Sequence, residues 1–300
     1  MATTTTEPET EARAEPAVPH RPPQAALTVI TPPTGRTVVD VGELWRSRDL
    51  LYFLAWRDVK IRYKQTVLGA AWAVLQPAMM MAVFTLFFRR MAGVPAGDLP
   101  YPLFAYAGLL PWTFFATAVA GAGNSVIGSE KIITKVYFPR LAIPFATVAA
   151  SVVDFAIACG LLAALMAYYG VMPAGSVWLA PLIFGVIVLA AAGVGTLLSA
   201  LNVAYRDFRY VIPFLLQVWM FATPSVYMSV SGPSKPGRGV LQAALALNPM
   251  TGLVDAFRAS VLGGPISWGS LAGSAAFAAA LFVAGCMYFR KVEDRFADII

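Results

Sequence analysis

The chain has 300 residues, 58% of them hydrophobic and only 13% charged, against roughly 25% charged in soluble domains. That composition excludes an ordinary soluble enzyme. The net charge of +6 does not mark a nucleic-acid binder either, because the cations gather between apolar runs, where membrane topology places them.

Charge-free runs cover Leu99–Ser129, Phe155–Tyr205 and Ala259–Phe289. Each exceeds the ~20 apolar residues a membrane-crossing helix needs. They are apolar throughout, whereas barrel strands alternate. The expected fold is an all-α polytopic membrane protein.

Residues 1–36 form a tail with seven of the 22 prolines, a Thr3–Thr6 run and acids at Glu7, Glu9, Glu11 and Glu15. Their apolar content is too low for a core, so a disordered tail is expected. It lacks the basic start and apolar centre of a signal peptide. Residues 37–300 are expected to form the transmembrane domain.

An interfacial helix is expected over residues 41–65. Trp45, Tyr52, Trp56, Val59 and Tyr63 recur at helical spacing, and Arg57, Lys60 and Lys64 form a second stripe. A helix with aromatics on one face and cations on another suits a membrane surface and its lipids.

Spans are then expected at about 67–88, 101–127, 141–169, 178–202, 210–228 and 266–289. Pro77 falls inside the first, and Pro111-Trp112 is expected to interrupt the second. Ser129 is a candidate N-cap for a short helix that Pro139 would end. Asp154 lies deep in the third span. An acid there reads either as a proton site or as a structural hydrogen-bond partner for a neighbouring helix. Cys159 and Cys286 lie in apolar runs and read as small buried hydrophobes.

Residues 240–257 are apolar enough for a span, but Asn248-Pro249-Met250-Thr251-Gly252 divides them. Neither half could cross the hydrocarbon, so a re-entrant hairpin is expected. Counting six spans puts 17 Lys and Arg inside and five outside, with Arg258 among the five. The positive-inside rule then places both termini in the cytoplasm.

Four stretches carry a resemblance. They are Trp56-Arg-Asp-x-Lys-x-Arg-Tyr-Lys-Gln-Thr-x-Leu-Gly-x-x-Trp72, Lys135–Arg140, Leu198–Asp207 and Asn248–Gly252. In this order they resemble the transmembrane subunits of polysaccharide ABC exporters, the ABC-2 type permeases of the Wzm and TagG group. The similarity covers about Leu44 to Arg290.

The resemblance implies a homodimeric channel in a bacterial cytoplasmic membrane, served by two copies of a separate ATPase subunit. ATP and magnesium would sit on that partner. The substrate would be a lipid-linked glycan of O-antigen, capsule, teichoic acid or galactan type. The chain itself has no Gly-x-x-x-x-Gly-Lys-Ser/Thr phosphate loop.

By the same resemblance, Trp56, Arg57, Lys60, Arg62 and Tyr63 would form the substrate entry gate. Trp72, Phe84, Tyr101, Trp112, Phe115, Trp219 and Tyr227 would be channel aromatics. Glu130, Lys131, Lys135, Tyr137, Phe138, Arg140, Arg206 and Asp207 would contact the ATPase. Aromatic rings stack on the apolar faces of sugars, which suits a sliding glycan.

The alternatives are a permease for another lipid or small amphiphile, and a membrane-embedded glycan-modifying enzyme. An enzyme would need paired carboxylates or a His–carboxylate set. The single histidine is His20, in the tail, so no catalytic set and no metal-ligand cluster is expected. A secondary transporter would show inverted repeats and several intramembrane polar groups, and Asp154 stands alone.

Overall fold

The computed structural model describes residues 41–64, 69, 71–87, 99–133, 138–223, 248–293 and 296. Their regular structure is helical. The helices are α1 Val41–Arg46, α2 Arg48–Lys64, α3 Ala71–Phe84, α4 Tyr101–Gly128, α5 Glu130–Ile133 and α6 Ala142–Tyr169. A 3-10 turn at Val177–Leu179 leads into α7 Ala180–Ala204, followed by α8 Phe208–Phe221, α9 Pro249–Leu262 and α10 Trp268–Val292. Among the described residues, four segments are long and apolar enough to cross a membrane: Tyr101–Gly128, Ala142–Tyr169, Val177–Ala204 and Trp268–Val292. Ala71–Phe87 and Phe208–Phe221 are shorter apolar helices.

The bundle is built on α4, which packs against α3, α6, α7, α8 and α9. Every residue from Leu103 to Trp112 is buried, and a helix apolar and buried all round belongs in a core. That burial explains a departure from the sequence reading. Pro111 does not interrupt α4, which runs unbroken from Tyr101 to Gly128. A proline inside a membrane helix removes one backbone bond, and neighbouring helices sustain the rest.

Apolar surface alone does not pull helices together in lipid, where close backbone approach does. Between α7 and α10 that approach is made at Gly193 and Gly285. A Cβ on Gly193 would lie 2.6 Å from the backbone nitrogen of Phe282, and one on Gly285 would strike the Gly193 carbonyl. The end of α6 uses a different property of glycine. Gly170 is left-handed (φ 68°), so Val171 N can donate to Met166 O at 2.9 Å and close a Schellman turn.

Residues 240–247, the first limb of the expected hairpin, lie outside the described residues, as does Tyr227. The residues expected to form its second limb lie in α9. Asn248 is its N-cap, accepting from Met250 N at 3.1 Å, and Pro249 occupies the first turn. The residues read as a break are therefore a start signal. At 14 residues, α9 is about 21 Å long and too short to cross.

It also runs past residue 257, so Arg258 lies inside α9 and not in a loop after the expected hairpin. Arg258 is 6% exposed inside α9, with its guanidinium 3.8 Å from the Phe104 ring centroid and 3.3 Å from the Asp255 carboxylate. Gly263-Gly264-Pro265, not the arginine, ends the helix.

Candidate functional site

The helix before the first span is the source of the site. It is broken at Ser47 into α1 and α2. The first three aromatics of its stripe do not face the core. Trp45 and Tyr52 are exposed and Trp56 is 48% exposed, with the Lys60 ammonium 5.5 Å from its ring centroid.

The face that docks is a different one, stepping by four through Leu54, Asp58 and Arg62. Leu54 is buried in one apolar cluster with Leu141, Ile143 and Phe289. The Asp58 carboxylate accepts from Thr147 Oγ1 at 3.0 Å. Arg62 Nη1 and Tyr63 OH both donate to the Asp154 carboxylate.

These α6 residues climb their helix in the same order as their partners climb α2. So α2 runs alongside the first three turns of α6 and delivers Arg62 to the depth of Asp154. Of the two readings of Asp154, its geometry is that of a partner for a neighbouring helix, and the helix is α2. Burial pushes the Tyr63 phenol above its ordinary value, against the opposing pull of the Arg62 guanidinium.

Two clefts flank this contact. A polar one of about 480 Å³ lies at the end of the bundle that carries α5, lined by Arg57, Asp58, Asn124, Ser125 and Thr147 among others. The other, of about 440 Å³, runs between α2, α3, α4 and α6. Trp72, Gln76, Thr113, Phe114 and Phe155 line it, with Asp154 and Tyr63 at one end. Arg62 lines both clefts. Arg57, by contrast, is engaged by its neighbour Asp58 at 2.9 Å.

The expected channel aromatics separate into groups. Phe84, Tyr101, Trp112 and Phe115 are buried in the protomer. Trp112 and Phe115 pack on each other with centroids 5.7 Å apart. Such tilted pairs contribute beyond their buried area. Trp72 is 52% exposed and lines the cleft. Trp219 is half-buried, edge-on to Phe115 at 5.1 Å, and its Nε1 donates to Asn248 Oδ1 at 2.9 Å.

The expected ATPase contacts also separate. Glu130 and Arg206 line one cleft of about 390 Å³ with Asn202, Arg209 and Tyr210, although 76 residues part them in sequence. Lys131 and Asp207 are exposed. Phe138 is buried, and Arg140 donates to the backbone carbonyl of Glu293, so both fasten their loop to the bundle. Lys135 and Tyr137 lie outside the described residues. Ser129 serves through its backbone, its carbonyl accepting from Ile132 and Ile133 at 2.9 and 3.1 Å.

Sequence reasoning missed Asp58 and Thr147. The signal was present in the four-residue steps from Leu54 to Arg62, but the more conspicuous aromatics drew the face assignment elsewhere.

A family model described as ABC-2 type transporter matches residues 49–262. The chain is 33% identical over 220 residues to the O-antigen export system permease protein RfbA of Myxococcus xanthus, covering 73% of this chain and 82% of that protein. A protein of the same name from Klebsiella pneumoniae is 28% identical over 253 residues, covering 84% of this chain and 95% of its own. The polysialic acid transport protein KpsM of Escherichia coli is 23% identical over 253 residues, covering 79% and 91%.

Proposed function

The chain belongs to the ABC-2 type transporter family, and on that premise we propose that it is the channel-forming permease of a polysaccharide exporter. Two copies form the channel, and two copies of a separate ATPase bind its cytoplasmic face. ATP hydrolysis on that partner drives a lipid-linked glycan of O-antigen, capsule, teichoic acid or galactan type across the bacterial cytoplasmic membrane. The chain crosses six times with both termini inside, and α9 is the return limb of a re-entrant hairpin.

The observation that carries this reading is the pair of relatives named for O-antigen export, which align over most of both chains. The geometry supports it at three places. Arg62 lines a cleft between α2 and the bundle, where a fixed cation suits a lipid diphosphate. Trp72, half-exposed in that cleft, offers a face to a sugar ring. Glu130 and Arg206 share a cleft at the α5 end, which fits one docking surface for the ATPase.

The test is reconstitution in proteoliposomes with a Walker-type ATPase from a neighbouring reading frame. ATP-dependent movement of lipid-linked glycan into the lumen is expected. A pair that neither associates nor exports overturns the proposal.

A further inference from the structure

The contact that seats α2 on α6 occupies the cation best placed for an anionic ligand. Arg62 lies between two clefts of different character and lines both. On one side are Arg57, Asp58, Asn124 and Ser125. On the other are Trp72, Phe114 and Phe155, with Gln76, Thr113 and Thr117 as the polar groups. The Arg62 guanidinium donates to Asp154, which lines the second cleft, and Tyr63 donates to the other oxygen of the same carboxylate. A carboxylate held by a guanidinium and a phenol is in the coordination that a phosphate oxygen pair takes, and phosphate brings more charge and more acceptor sites to the same donors.

We propose that Asp154 is an internal competitor: its carboxylate holds Arg62 and Tyr63 and closes the passage between the two clefts, and a phosphate-bearing headgroup opens it by taking both donors. The inference rests on the reading of the chain as a permease for lipid-linked substrates. It adds a residue, Asp154, and an order of events.

Three features of the site argue for competition over co-binding. Of the other α2 cations, Lys60 lies over Trp56 and lines neither cleft, and Arg57 lines only the cleft on the α5 side, whereas Arg62 lines both. Arg62 is therefore the cation that an arriving phosphate meets. A phosphate placed beside an intact Arg62–Asp154 pair would set two anions in contact on one cation, which like-charge repulsion opposes. Beyond this pair, α2 is held to the bundle by Leu54, with Leu50, Leu51 and Ala55 packed in the same cluster, and by the Asp58–Thr147 hydrogen bond. Loss of the Asp154 contacts thus frees the last turn of α2 and leaves its first turns seated.

The affinity consequence follows from population arithmetic. If the internal carboxylate holds the donors nine-tenths of the time, the apparent affinity for an external anion falls about tenfold. Removing the competitor restores it.

The experiment uses the full chain in nanodiscs with decaprenyl phosphate as the probe and decaprenol as its uncharged control. Asp154→Asn keeps the size and an acceptor for Tyr63 but removes the competing charge, and its affinity for decaprenyl phosphate is expected to rise about tenfold. Asp154→Glu keeps the charge and is expected to bind as the native chain does. Arg62→Gln is expected to lose binding. Equal binding of decaprenol and decaprenyl phosphate, or unchanged or weaker binding in Asp154→Asn, overturns the proposal.

A second measurement needs no variant. Hydrogen exchange of native residues 58–64 is expected to accelerate when decaprenyl phosphate is added, while residues 50–56 stay protected. No acceleration on saturating probe overturns it. Millimolar inorganic phosphate separates the sources of the anion: if it competes, the site reads phosphate alone, and if it does not, the site needs the lipid. Failure here with intact ATP-dependent export sinks only the competitor role. Failure of ATPase association sinks the wider reading.

Discussion

Replacing Asn248 by alanine tests whether the start of α9 is held by one side chain. Asn248 Oδ1 accepts from Met250 N at 3.1 Å and from Trp219 Nε1 at 2.9 Å. Its Nδ2 donates to Ala222 O at 3.0 Å and Thr223 Oγ1 at 2.8 Å. One residue thus caps α9 and ties it to the end of α8. Loss of the cap costs about 1 kcal/mol. The other three bonds, at the ~0.6 kcal/mol typical inside membrane proteins, add about 2 kcal/mol.

Asn248→Ala is therefore expected to destabilise by about 3 kcal/mol. Asn248→Ser keeps a capping oxygen and is expected to lose only about 2 kcal/mol. Reversible unfolding in mixed micelles reads the totals, and hydrogen exchange over residues 249–254 localises them. Two variants that unfold alike, or that both lie within ~0.5 kcal/mol of the native chain, would refute the assignment of the cap.

Charge reversal at both Glu130 and Lys131 is expected to weaken ATPase association about fivefold, read by co-purification, with expression and topology intact. Unchanged association would remove α5 from the docking surface. Gly285→Ala is expected to cost about 1–3 kcal/mol, because the new methyl meets the Gly193 carbonyl of the opposing backbone. Leu54→Ala should cost about 2–5 kcal/mol and raise the exchange of residues 50–58, since Leu54 is the buried anchor of α2.

The Tyr63 phenol, raised by burial, should titrate above the ordinary value of about 10. A raised pKa means the folded chain holds its proton longer than the unfolded one, so the contact persists through neutral pH and weakens only as pH climbs past about 10. The difference in phenolate absorbance between native and Tyr63→Phe protein reads this directly.

How much of this was written in the sequence varies with the physics of each element. Long apolar runs fix helix existence, and the ends of α4, α6 and α7 fall within two residues of the expected spans. Hydropathy says nothing about which helix is central, because in lipid every span is apolar. The central place of α4 depends on close packing along Leu103–Trp112. Proline misled in one place and served in another. Pro111 reads as a break but is carried by its neighbours, whereas Pro249 after Asn248 marks a helix start.

The candidate site was half legible. Arg62 and Tyr63 stood out as gate residues and Asp154 as an unusual acid, but they lie 92 and 91 residues from it. Local pattern cannot pair residues that only tertiary packing brings together. The buried aromatics of α4 show the same limit from the other side, since an aromatic in a span may face a lumen or a neighbour, and residue type does not choose.

The position of Arg258 has a consequence for biogenesis. A buried arginine is costly to insert, and α9 is too short to enter as a spanning hairpin partner on its own. What lowers that cost is the Phe104 ring on α4 and the Asp255 carboxylate within α9, while Asn248 ties the start of α9 to Trp219 of α8 and to Thr223 just beyond that helix. Both helices leave the ribosome before α9. Synthesis order therefore supplies the receptor before the segment that needs it, and truncation or delay upstream of α9 should strand this helix as the first target of membrane quality control.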